Sequence, residues 1–149
     1  MKLKTSELTG RALDFSVAKA TDMDIYIFGR PSDAEYGWIG NNNVTMESFL
    51  TSIVTIDFCG KMRIEFNGEA KSYSPSTNWS QCGELIEKYH IELYFNSVNE
   101  VWSAYIFNYE KFESVIEDGS TPQIAICRAV VAAKLGDEIE IPDELVEGV

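Results

Sequence analysis

The sequence predicts an α+β fold: an antiparallel β-sheet covered on one face by two main helices, with a short third helix. Three observations carry this. Apolar residues alternate along 52–58 and again along 61–66, with Cys59-Gly60 between them, which is the pattern of a hairpin. Residues 91–95 and 101–107 form a second strand pair, rich in aromatic and β-branched side chains, with a turn over 96–100. Residues 5–20 and 122–135 carry their apolar residues at helical spacing instead.

The first helix is predicted over 5–20, with Thr5 or Ser6 as its N-cap and Leu8, Ala12 and Phe15 on one face. A short strand follows at 24–30. Residues 31–45 hold Pro31, Gly37, Gly40 and three consecutive asparagines around Tyr36 and Trp38, a turn-forming composition. In the hairpin, Val54, Ile56 and Phe58 share one face with Met62, Ile64 and Phe66, and Asn67-Gly68 marks the next turn. Residues 70–83 read as a polar loop, and a short helix ends near Tyr89. Residues 108–120 give no clear element. The last helix is the best marked: Thr121 caps it, Pro122 occupies its first position and Gly136 follows its end. A single domain is expected over 1–136. Residues 137–149 form an acidic tail with six acids and no base, extended through Ile139 and Ile141 and loose past Pro142.

With 24 acidic against 12 basic residues the formal charge is −12, and half of it lies in the tail. This balance excludes direct binding to nucleic acid or to anionic membrane, since like charges repel. No apolar run has the ~20 residues a membrane helix needs. Residues 1–10 lack the apolar core of a secretion signal, so a cytoplasmic protein is expected. Cys59, Cys82 and Cys127 are then reduced and read as small hydrophobes. With one histidine, His90, and no close cysteine or histidine pair, no metal or other cofactor is expected.

One constellation stands out. Tyr73, Ser74, Ser76, Thr77, Asn78 and Trp79 place hydroxyls, an amide and two aromatic rings directly before a helix. Free backbone N–H groups and a partial positive charge at a helix N-terminus suit a phosphate or carboxylate. Trp38, Arg30 and Arg128 are the expected partners of such a ligand, the arginines as scarce cations. Helix capping by Ser76, Thr77 or Asn78, with Trp79 in the core, is the structural alternative.

Three segments resemble the NinX-like proteins, small proteins of lambdoid and related phages whose function is not established. They are Lys4-Thr5-Ser6-Glu7-Leu8-Thr9-Gly10-Arg11-Ala12-Leu13-Asp14 with Val17-Ala18-Lys19-Ala20; Tyr73-Ser74-Pro75-Ser76-Thr77-Asn78-Trp79 with Gly83 and Ile86-Glu87; and Gly119, Thr121-Pro122, Ala125, Arg128-Ala129 with Ala133-Lys134-Leu135-Gly136-Asp137-Glu138. Where that family reads Trp-x-x-Gly-Gly-Pro, this chain has Cys82-Gly83-Glu84 after Trp79. The resemblance implies a phage accessory protein in a bacterial cytoplasm and does not imply a reaction.

Three functions are compatible with these features. The first is a non-catalytic binding protein that counters host defence by sequestering a small phosphorylated, nucleotide-type ligand. The second is an acidic inhibitor that binds a host defence or regulatory protein, in the manner of a DNA mimic. The third is an enzyme acting on a nucleotide through carboxylates such as Asp57. The alanines at 125, 129, 132 and 133 also offer a face for a homodimer or for packing on the protein's own sheet.

Overall fold

The computed structural model describes residues 1–28, 53–66 and 69–146. Arg30, Trp38, the turn-rich stretch 31–45 and the turn at Asn67-Gly68 lie outside them. The described residues form an α+β fold of three α-helices and nine strands. The strands are β1 Lys2–Lys4, β2 Asp24–Ile27, β3 Ile53–Ile56, β4 Met62–Phe66, β5 Glu69–Ser72, β6 Glu92–Asn96, β7 Val101–Asn108, β8 Glu113–Gly119 and β9 Glu138–Glu140. The helices are α1 Gly10–Ala20, α2 Trp79–Tyr89 and α3 Pro122–Leu135.

The single antiparallel sheet expected from the sequence is replaced by three sheets. β3 and β4 belong to a four-stranded sheet of order β2-β3-β4-β5, whereas β6 and β7 belong to a separate sheet of order β6-β7-β8. β1 and β9 make a two-stranded ribbon. The four-stranded sheet is mixed, because β2 lies parallel to β3. A parallel pair requires a crossover connection between its strands, so sequence neighbours could not reveal it. The hairpin register is the one its alternation predicts, with Val54 opposite Ile64 and Ile56 opposite Met62. Phe58 departs from the prediction: it lies beyond β3 and stays exposed beside Phe28.

α3 is the centre of the molecule. Residues 125–127 and 129–133 are all buried, as expected of a helix apolar around most of its circumference. It packs against α1, α2, β7 and β8. The alanine row that could have served a dimer is therefore covered within the chain. The Thr121 hydroxyl accepts the Ile124 N–H at 3.2 Å and closes the start of this helix. Thr121→Ala should cost about 1 kcal/mol, read as a lower midpoint in urea unfolding with an unchanged slope.

α1 begins at Gly10 rather than at Thr5. Thr5 anchors the start of the chain to the end of α3 instead. Its hydroxyl donates to the Gly136 carbonyl and its N–H to the Asp137 carbonyl. The acidic segment past 136 is built into the fold through residue 146. β9 pairs with β1, and Ile139, Ile141 and Leu145 are buried. The expectation of a loose end past Pro142 is corrected accordingly, since a 3-10 turn over Asp143–Leu145 inserts Leu145 into the core.

Candidate functional site

The loop before α2 folds through its own polar groups. Pro75 suits the second position of a turn, and the Thr77 N–H donates to the Ser74 carbonyl at 3.0 Å. The Gln81 amide reaches back: its Oε1 accepts the Ser74 N–H at 2.7 Å and its Nε2 donates to the Ser72 carbonyl at 2.7 Å. Asn78 is the N-cap of α2, its Oδ1 accepting the Gln81 N–H at 3.2 Å. Ser76 is buried, and its N–H donates to Asp14 Oδ1 of α1 at 2.8 Å. Tyr73 is buried as well, and Thr77 is exposed. Trp79, expected in the core under the capping reading, is 50% exposed instead.

Asp14 is the electrostatic centre of this region. It is only 5% exposed, and burial raises its pKa to about 6 against the opposing pull of the Ser76 N–H and hydroxyl. Burial, and next the Asp14 charge, push the Tyr73 hydroxyl up. An anion at the start of α2 would thus approach a buried carboxylate, and one of the expected donors, Ser76, already serves that carboxylate. Cys82 of α2 and Cys127 of α3 are both buried, the Cys82 thiol donates to the Gln123 carbonyl at 4.0 Å, and interaction with the Cys82 thiol together with burial pushes Cys127 up.

Arg128 stands elsewhere. Its Nε donates to the Leu8 carbonyl at 2.9 Å and its Nη1 to the Asp118 carbonyl at 2.8 Å, so it ties α3 to the chain before α1 and to the end of β8. It borders a depression of about 380 Å³ shared with Glu117 and Asp118, apart from the residues of the 73–79 loop. Asp57 closes the β3–β4 turn, with Oδ1 accepting the Cys59 and Lys61 N–H groups at 2.9 Å each. This is an Asx-type role that shapes a hairpin.

Two clefts flank α2. The first, of about 240 Å³, has a floor of Val17, Ile64, Tyr73, Pro75 and Leu85 and a rim of Gln81, Glu84 and Lys88. Gln81, Glu84, Leu85 and Lys88 recur at helical spacing and so share one face of α2. Tyr73 and Pro75 are the loop residues that reach this cleft. The second, of about 190 Å³, lies at the other end of α2 between Lys88, Tyr89, His90, the end of β7 and Lys134 of α3. His90 is the C-cap of α2 in the left-handed conformation, with φ +53°. Sequence reading misses this second site because its members come from three separate segments.

The family model for bacteriophage P22 NinX matches residues 4–134. The chain belongs to this phage family. No curated protein matches it. The matched span takes in the 73–79 loop, both clefts beside α2 and all but the last residue of α3. The family points to a phage and names no reaction. Among the described residues no helix is long and apolar enough to cross a membrane, and no group of histidine, cysteine and carboxylate side chains is arranged to hold a metal ion.

Proposed function

We propose that the protein is a non-catalytic binding protein for a small phosphorylated, nucleotide-type ligand, and that the phage uses it to withdraw that ligand from a host defence. The observation that carries this is the position of Lys88. It lines both clefts, so one cation stands between an apolar-floored cleft fit for an organic body and a second cleft that holds further basic side chains. Pockets of this kind combine an apolar lining with a few convergent polar groups. The roles of Asp57 in a turn and of Asp14 under Ser76 favour binding over carboxylate-driven turnover. Thermal unfolding against nucleotides, cyclic dinucleotides, ADP-ribose-type compounds and sugar phosphates tests the reading. A ligand at 100 times its dissociation constant adds about 2.7 kcal/mol, a midpoint rise on the order of 5–10 °C. The expected result is such a rise with one phosphorylated class and none with its dephosphorylated counterpart. A flat response to every phosphorylated class would end this reading.

A second reading, an acidic inhibitor of a host protein, draws on the β6-β7-β8 sheet. Its strands carry Glu92, Glu113, Glu117 and Asp118 and no basic residue, and Tyr94 and Ile116 are exposed on it. Ile116→Lys separates the two readings. It should abolish capture of a basic protein partner under the second and leave ligand stabilisation unchanged under the first.

A further inference from the structure

We infer that Lys88 and Lys134 form the seat of a phosphate monoester, over the ring of Tyr89, and that the group attached to the phosphate is a planar ring. This rests on the reading that the ligand is phosphorylated, and adds where its charge is held. Lys88 Nζ lies 5.4 Å and Lys134 Nζ 6.0 Å from the centroid of the Tyr89 ring. The two ammonium groups come from different helices, each from its last turn. A lysine in the last turn of a helix is ordinarily explained by the helix dipole. That explains each lysine separately and does not explain why two of the 12 basic residues in so acidic a chain converge on one ring. Among the described residues neither lysine enters an ion pair. A phosphate dianion held by both ammonium groups would gain charge-assisted hydrogen bonds, which are among the stronger polar contacts.

The surroundings narrow the ligand class. Asn108 Nδ2 donates to the Ala133 carbonyl at 2.9 Å and fixes the end of β7 against the last turns of α3, so this wall is held in place before any ligand arrives. Tyr109 is 73% exposed at the mouth and is braced edge-on by Phe107, with ring centroids 4.8 Å apart. An exposed, braced ring beside an anion seat suits a stacked base. The volume of about 190 Å³ admits a phosphate and part of one ring. Glu110 also lines the cleft, and its carboxylate disfavours additional phosphates there. A nucleoside monophosphate, or a terminal monophosphate group of a larger nucleotide, has the required chemistry.

The test is calorimetric titration with adenosine 5′-monophosphate, inorganic phosphate and adenosine at two salt concentrations. The proteins are the unchanged chain, Lys88→Gln, Lys134→Gln, the double variant and Lys61→Gln as an exposed lysine outside the cleft. All three lysines are exposed, and circular dichroism verifies the folds. The monophosphate should bind, adenosine should bind far more weakly, and each cleft substitution should weaken the monophosphate about tenfold, as for loss of a charged hydrogen bond. The double variant should lose about a hundredfold together with most of the salt dependence, and Lys61→Gln should leave affinity unchanged. Monophosphate affinity unaltered in the double variant, or adenosine binding as tightly as the monophosphate, overturns the seat while leaving a phosphorylated ligand elsewhere on the protein. Failure of every phosphorylated compound, in this titration and in the unfolding screen, removes both readings.

Discussion

Replacing Asp14 by asparagine should remove a large part of the pH dependence of stability between about pH 4 and 6. In the folded chain burial raises the pKa of Asp14 from 3.8 to about 6. Within that window the folded state holds a proton that the unfolded state has released. Stability contributed by this group is therefore complete below the unfolded value and is lost as pH rises through the folded one. The difference corresponds to a loss on the order of 2–3 kcal/mol by pH 7. The asparagine Oδ1 can still accept the Ser76 N–H, so the loop keeps its tie to α1. Urea unfolding at pH 4.5 and pH 7 measures the effect: Asp14→Asn should be more stable than the unchanged protein at pH 7, with the advantage shrinking towards pH 4.5. Glu117 is also raised, with burial as the first cause, and acts in the same direction. It is present in both proteins, so the difference between them isolates Asp14. Parallel pH profiles would show that the carboxylate carries no such burden. Asp14→Ala should differ in sign, because it leaves a buried N–H without its acceptor at a cost of about 1–3 kcal/mol.

Gly119→Ala should destabilise the protein by about 2–3 kcal/mol, lowering its unfolding midpoint by some 5–10 °C. Gly119 ends β8 opposite Trp102 and is buried against the first turn of α3. A Cβ built there would lie 2.5 Å from the Ala125 backbone N and 2.9 Å from Ile124 Cγ2. The first obstacle is backbone and cannot rotate aside, so β8 and α3 must separate. Gly83 is a useful contrast, since a Cβ there meets nothing within 4 Å. Gly83→Ala, inside α2, should be neutral or stabilising by up to about 1 kcal/mol. Scanning calorimetry on the two variants compares a glycine required by close packing with one that is not. Equal midpoints would contradict the tight β8–α3 contact.

What can be read from the sequence follows from where the physical signals are local. α3 is legible to the residue at both ends because Thr121, Pro122 and Gly136 are capping chemistry with fixed offsets. The β3–β4 register is legible because alternation fixes which side chains face each other. β5 is not: Glu69, Ala70, Lys71 and Ser72 are all exposed at a sheet edge, so no apolar alternation exists to be seen. β8 is an acidic edge strand, where charge protects the edge and hides the strand. The division into separate sheets, and the parallel β2–β3 pair, are set by tertiary contacts that no local window contains. The 73–79 loop stands out in the sequence for its polarity, yet much of that polarity closes a turn, caps α2 and satisfies Asp14. The second cleft is invisible there because Lys88, Tyr109 and Lys134 become neighbours only when α2, the end of β7 and α3 have packed together.

The most direct measurement of sequestration is mass spectrometry of what the folded protein retains. The purified chain is equilibrated with small-molecule extract from phage-infected bacteria, separated from free solutes, denatured, and its released compounds identified. A sequestering protein should release one phosphorylated compound, chemically unchanged and approaching one equivalent per chain. Retention of no phosphorylated compound, or its recovery as a converted product, would contradict a non-catalytic phosphate-ligand binder.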